Sequence, residues 1–133
     1  MSNIPKDLNR ELVESLPDTG AVVMVNLLRF RKTALDGNGS GWDAYSRYGK
    51  ADRPLLKKVG GIILWAGHVE GVALGDLGDG RWDFLVLVHY PSKAKFLEMM
   101  TSEDYQVINK DRESGVEDHI ILAADQSYSK FII

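Results

Sequence analysis

The chain has 133 residues, 16 Lys and Arg against 19 Asp and Glu for a net charge of −3, and no cysteine; its length suits one domain burying roughly two thirds of its unfolded surface. Without cysteine there are no disulfides, thiolate nucleophiles, zinc ribbons or thiolate-ligated haem, and a scattered, slightly acidic charge leaves no basic field for nucleic acid. Charges interrupt the first twenty residues, and the longest uncharged apolar runs, near 20–28 and 59–69, fall short of the roughly 20 residues a membrane helix needs, so the expectation is a cytoplasmic protein with no membrane span.

Residues 1–20 read as a leading helix and turn: Leu8, Leu12, Val13 and Leu16 recur at helical spacing between Pro5 and Pro17. Ala21 to Phe30, VVMVNLLRF for most of its length, suits a buried central strand. The glycine-rich stretch 34–41 is a loop, and Asn38-Gly39-Ser40 within it reads as a turn and not as a glycosylation acceptor. Trp42, Tyr45, Tyr48, Leu55, Leu56 and Val59 then form an amphipathic helical stripe, with a kink expected at Pro54 and an end at Gly60-Gly61. The β-rich runs 61–71 and 81–90 flank GDLGDG and predict a hairpin; no helix follows that turn to present its N-terminus to phosphate.

A broken helix is expected over 92–114, with Thr101-Ser102 before Glu103-Asp104 as a fresh N-cap, Gly115 as its end and 117–124 as the fourth strand. The core is thus 21–124, followed by a tail, 125–133, whose YSKFII end is a candidate for a small extra strand and a dimer contact. The order β-α-β-β-α-β is the α+β, ferredoxin-like pattern: a four-stranded antiparallel sheet with helices on one face and the first and third strands central. Both of those strands carry apolar residues on both parities, Val22, Met24 and Leu28 against Val23, Val25 and Leu27 in the first. Both faces therefore want cover, and with no second domain a second copy of the sheet is the economical one, making a homodimer.

The run VVMVNLLRFR, the helix that begins WDAYSRYG and contains RPLL, the KVGGIILWAG after it, the HYPS that ends strand three and the TSEDYQ of the second helical region resemble domain-of-unknown-function family thirteen-thirty, of the dimeric α+β barrel superfamily. The resemblance spans about 20–124 and implies face-to-face sheets, each with a pocket between the sheet and its cover. It implies no reaction: relatives include cofactor-independent monooxygenases, haem-degrading enzymes, isomerases and ligand-sensing domains. The haem-degrading relatives carry a helix histidine, and residues 92–114 contain none.

Two polar residues interrupt the central strands, Asn26 and His89, and each needs a partner because a buried unsatisfied group costs roughly 1–3 kcal/mol. Either they bond to one another or to backbone, or they face a pocket, where Asn26 would donate to an enolate-like oxyanion and His89 would act as acid or base. Arg29 has the opposite strand parity to Asn26 and reads as a strand-end ion pair or a ligand contact. Tyr45, Trp65 and Trp82, with Trp42, are candidates to line a pocket for a small apolar or aromatic organic molecule. His68, His89 and His119 do not form a recognised ligand pattern, and neither metal nor cofactor is expected. Two functions stay open: a cofactor-independent, monooxygenase- or isomerase-like enzyme, and a non-catalytic dimer that binds or senses a small molecule.

Overall fold

The computed structural model describes residues 4–17 and 20–131. Helix α1 (Arg10–Ser15) begins at Asn9, whose side chain accepts the Leu12 N–H. At its other end the Lys93 ammonium donates to the carbonyls of Glu14, at 2.7 Å, and Leu16, placing a cation where helix carbonyls lack partners. Replacing Lys93 by alanine should speed amide exchange over residues 10–16 about 10-fold, read by hydrogen exchange, with the sheet unaffected.

Strand β1 (Val22–Phe30) leads to α2 (Gly41–Lys58), which opens with a reciprocal cap between Ser40 and Asp43. The helix continues through Pro54 as one element and ends in a Schellman motif: Gly60 takes φ 77°, and Gly61 N–H donates to Leu56 O at 2.7 Å. Strands β2 (Ile62–His68) and β3 (Phe84–Tyr90) pair antiparallel across residues 69–83. β3 starts at Phe84 because Asp83 caps the end of β1: its carboxylate accepts Phe30 N–H at 2.9 Å and its own N–H donates to Leu28 O at 2.8 Å.

Helices α3 (Lys93–Met100) and α4 (Glu103–Gly115) are split where expected, Ser102 accepting the Tyr105 N–H to begin the second. β4 (Val116–Ala124) follows directly. No strand forms over 125–131, against expectation; Ser129 Oγ takes the Phe131 N–H in a local turn, so that donor is not offered to a neighbouring strand. Ile132 and Ile133 lie outside the described residues.

The sheet order β2-β3-β1-β4 is antiparallel throughout, the ferredoxin-like arrangement. Val22, Met24 and Leu28 of β1 join Val86, Val88 and Tyr90 of β3 under Leu56, Phe96, Met99, Met100 and Tyr105 of the helices, and this is the core. The other face carries Val25, Leu27, Leu85 and Leu87, with Trp65 47% and Leu122 53% exposed; Val23 and His89 at one end of it are buried, and the described residues leave the rest largely bare. The two parities of the central strands are therefore one core face and one bare apolar face.

One contact fixes the helix layer. Gly41, at the start of α2, lies against Gly115, at the end of α4; a Cβ on Gly41 would sit 2.1 Å from Arg31 O and 2.5 Å from Gly115 O. The Arg31 strand-end backbone is bonded into the same junction, Arg31 N–H to Gly115 O and Gly41 N–H to Arg31 O. Glycine is needed here for close approach and not for backbone freedom. Gly41→Ala should cost about 2 kcal/mol through overpacking, measured by denaturant unfolding.

Candidate functional site

The helices and the sheet enclose a small cavity of about 60 Å³, bordered by Asn26 and His119 from the sheet, Tyr45, Tyr48 and Asp52 from α2, and Tyr105 from α4. By volume it holds a few waters or part of a small molecule. Tyr45, Tyr48, Asp52 and Leu56 follow one another at helical spacing, so an acidic residue falls inside the stripe that α2 turns towards the core. Asp52 is 7% exposed and its Oδ1 has no hydrogen-bond partner. Burial raises its carboxyl from the ordinary 3.8 to about 7.

Phenols surround that carboxyl. The Tyr48 and Tyr105 hydroxyls are 2.8 Å apart, so one of their two hydrogens is spent between them and the other is available to a third group. Burial raises both phenols, Tyr105 to about 12 and Tyr48 well above its usual value, and it raises Tyr45 and Tyr90 also. All four stay protonated at neutral pH and are hydrogen-bond donors.

On the sheet side a directional network is complete. Arg112 can only donate, so its Nη1, 3.1 Å from His119 Nδ1, makes that nitrogen an acceptor and puts the ring proton on Nε2. Nε2–H then donates to Asn26 Oδ1 at 2.8 Å. Both hydrogens of the Asn26 amide go to backbone, to Met24 O at 3.1 Å and Val86 O at 3.3 Å. Burial first, and the Arg112 charge second, hold His119 down at about 3, so it is neutral.

The candidates named from the sequence divide between the two faces. Asn26 lies under the helices, whereas His89 pairs with Val23 and Ile62 and belongs to the bare face, its buried Nδ1 without a partner. The two do not meet; Asn26 finds His119 instead. Arg29, one residue before the end of β1, lies on the bare face with Glu117 at 2.7 Å and Asp118 at 3.5 Å, and its guanidinium lies 5.9 Å from the Trp82 ring centre. Trp65 pairs with Leu87 on that face. Tyr45 borders the cavity, and its ring continues through Phe30 into a cluster with Trp42, His68 and Phe84. The three histidines are thus separated, His68 among aromatic rings, His89 on the bare face and His119 on Asn26.

Asp52, Tyr48, Tyr105 and Arg112 were not singled out from the sequence as site residues. A carboxylate at the inward position of an apolar stripe was the available signal for Asp52. The other three needed the packing of α4 against α2 and β4.

Residues 41–125 match the family described as a domain of unknown function (DUF1330). No curated protein matches the sequence. Among solved structures, RPA0582, a protein of unknown function from Rhodopseudomonas palustris, is 29% identical, with 97% of this chain and 100% of that chain covered and a TM-score of 0.83. A dimeric protein of unknown function and ferredoxin-like fold from Bacteroides fragilis is 13% identical, with 83% and 100% covered and a TM-score of 0.53. SnoaB, a cofactor-independent oxygenase from Streptomyces nogalater, is 10% identical, with 81% and 96% covered and a TM-score of 0.51. At these lower identities the likeness is one of fold.

Proposed function

The chain belongs to the DUF1330 family, which brings a fold and no reaction, and on that footing we propose that it is a homodimer whose sheet–helix cavity takes a small organic carbonyl compound and moves a proton on it. The observation that carries this reading is Asp52: a carboxyl inside a cavity, with an unpartnered oxygen and a raised pKa of about 7, ringed by neutral phenols. A buried carboxyl without a partner is costly, and a group poised near neutrality serves both directions of proton transfer.

In this mechanism the Asp52 carboxylate takes a proton from the carbon beside the carbonyl, and the electron pair moves onto the carbonyl oxygen. The uncommitted hydroxyl hydrogen of the Tyr48–Tyr105 pair donates to that oxygen as charge develops. Where the substrate carries a double bond conjugated with the enolate, return of the proton to the far carbon completes an isomerisation, with no net oxidation. A cofactor-independent oxygenase would share the first step and then need dioxygen as co-reactant. Asn26 has the role of holding His119, because its amide hydrogens are committed to backbone carbonyls. His89, Arg29, Trp65 and Trp82 belong in this reading to the bare face and its edge, which the second copy covers.

A non-catalytic binding dimer would use the same cavity. The readings separate on incubating the protein with a set of small ketones and keto acids in deuterated water and following carbon-bound deuterium by NMR. Exchange that is lost in Asp52→Asn supports the enzyme; saturable binding without exchange supports the binder; neither binding nor exchange removes both.

A further inference from the structure

A second cavity, of about 130 Å³, lies beneath the leading segment, walled by Leu8 and Leu12 on one side and by Phe96 and Met100 on the other. Arg112 and His119 line it, and His119, Met24, Phe96 and Met100 border both cavities. Apart from Asp7, Asn9 and His119 the walls are apolar, and Arg112 is the cation among them. Arg112 donates to Asn109 Oδ1 at 2.7 Å, to His119 Nδ1 at 3.1 Å and to the Tyr105 hydroxyl, all neutral groups. Among the described residues no carboxylate lies within 4.0 Å of its guanidinium. Asp7, exposed at the rim, is no exception, and Glu113 reaches only Asn109. The C-terminal end of α4 compensates the charge in part, but a half-buried guanidinium facing a mostly apolar cavity has no counter-ion among the described residues.

We infer that this cavity is an anion subsite that takes the carboxylate of a small monocarboxylic acid on Arg112, with the acid's aliphatic part against Leu8, Leu12, Phe96 and Met100. A planar fork of N–H donors matches a carboxylate, and neutral His119 beside it adds no competing charge. The subsite does not depend on proton transfer at Asp52, so the two proposals fail separately.

The test is calorimetric titration of the whole protein with hexanoate, hexanamide and hexylamine, three head groups on one tail. Hexanoate should bind saturably and at least about 10-fold more tightly than hexanamide, with hexylamine weaker than both; Arg112→Gln should bring the acid–amide ratio to about one, and Asp52→Asn should leave it in place. Equal binding of acid and amide by the native protein, no saturable hexanoate binding up to about 10 mM, or an acid preference that persists in Arg112→Gln would each overturn the inference. The comparison of head groups on the native protein stands even if Arg112→Gln does not fold. A preference retained in Asp52→Asn alongside absent carbon exchange in the native protein would leave the anion subsite standing and the proton-transfer reading fallen.

Discussion

Asp52→Asn should yield a protein that melts at a higher temperature than the native one at pH 8 and has lost at least about 100-fold in turnover. The carboxyl stands at about 7 in the folded chain and at its ordinary 3.8 when unfolded. The folded state therefore resists ionisation, and the sign follows. Below pH 4 the group is protonated in both states and costs nothing. Between pH 4 and 7 the unfolded chain releases its proton first, so stability falls as pH rises, by about 4 kcal/mol once both are passed. Asparagine abolishes that slope while leaving a polar group short of a partner, worth roughly 1–3 kcal/mol. The net gain at pH 8 is about 1–3 kcal/mol, and at pH 4 the substitution is neutral or destabilising. Thermal melts of both proteins from pH 4 to 8 measure it. If the two curves run parallel, the carboxylate is compensated in solution, and its place in the proposed chemistry goes with it. A stabilising change that ends activity is the mark of a group kept for function.

Leu87→Asp should turn the proposed homodimer into a folded monomer. Leu87 lies on the bare face beside Val25 of β1 and Trp65 of β2, and Leu122 pairs with Val25 from the other side, so the substitution puts a carboxylate at the middle of an apolar surface four strands wide. An exposed apolar face of this extent marks an interface, and sheets of this kind pack on one another. A charge buried there without a partner costs several kcal/mol, which corresponds to at least about a 1,000-fold weaker association. In the single chain Leu87 is only half-buried, so the fold tolerates the change. Sedimentation equilibrium of both proteins, with circular dichroism as a check on folding, decides it. A native monomer, or a Leu87→Asp dimer, would remove this face from the assembly.

The order of strands and helices was legible because each element carries its own period and punctuation: Thr101-Ser102 as a cap, Gly60-Gly61 as a stop, unbroken apolar runs for the central strands. What was not legible is which way a polar residue in such a strand faces. In VVMVNLLRF both neighbours of Asn26 are apolar, so alternation gives no sign, and only the register against β3 and β4 places it under the helices. His89 follows the same logic with the opposite outcome. The partner of Asn26 was equally remote, since His119 lies 93 positions along the chain. Asp52 was nearer to view, an acid in an apolar stripe, but its local sequence KADRPLL reads as an ordinary solvated helix surface until the burial of Tyr48 and Leu56 fixes the facing side.

The junction of Gly41 with Gly115 has a mechanical side. It rivets the start of one long helix to the end of the other, and the Tyr48–Tyr105 hydroxyl bond pins the pair a second time near the start of α4, so the two helices lie over the sheet as one plate. Asp52 stands on α2 one turn beyond that second pin, so its carboxyl lies outside the stretch of helix that the two ties hold fast.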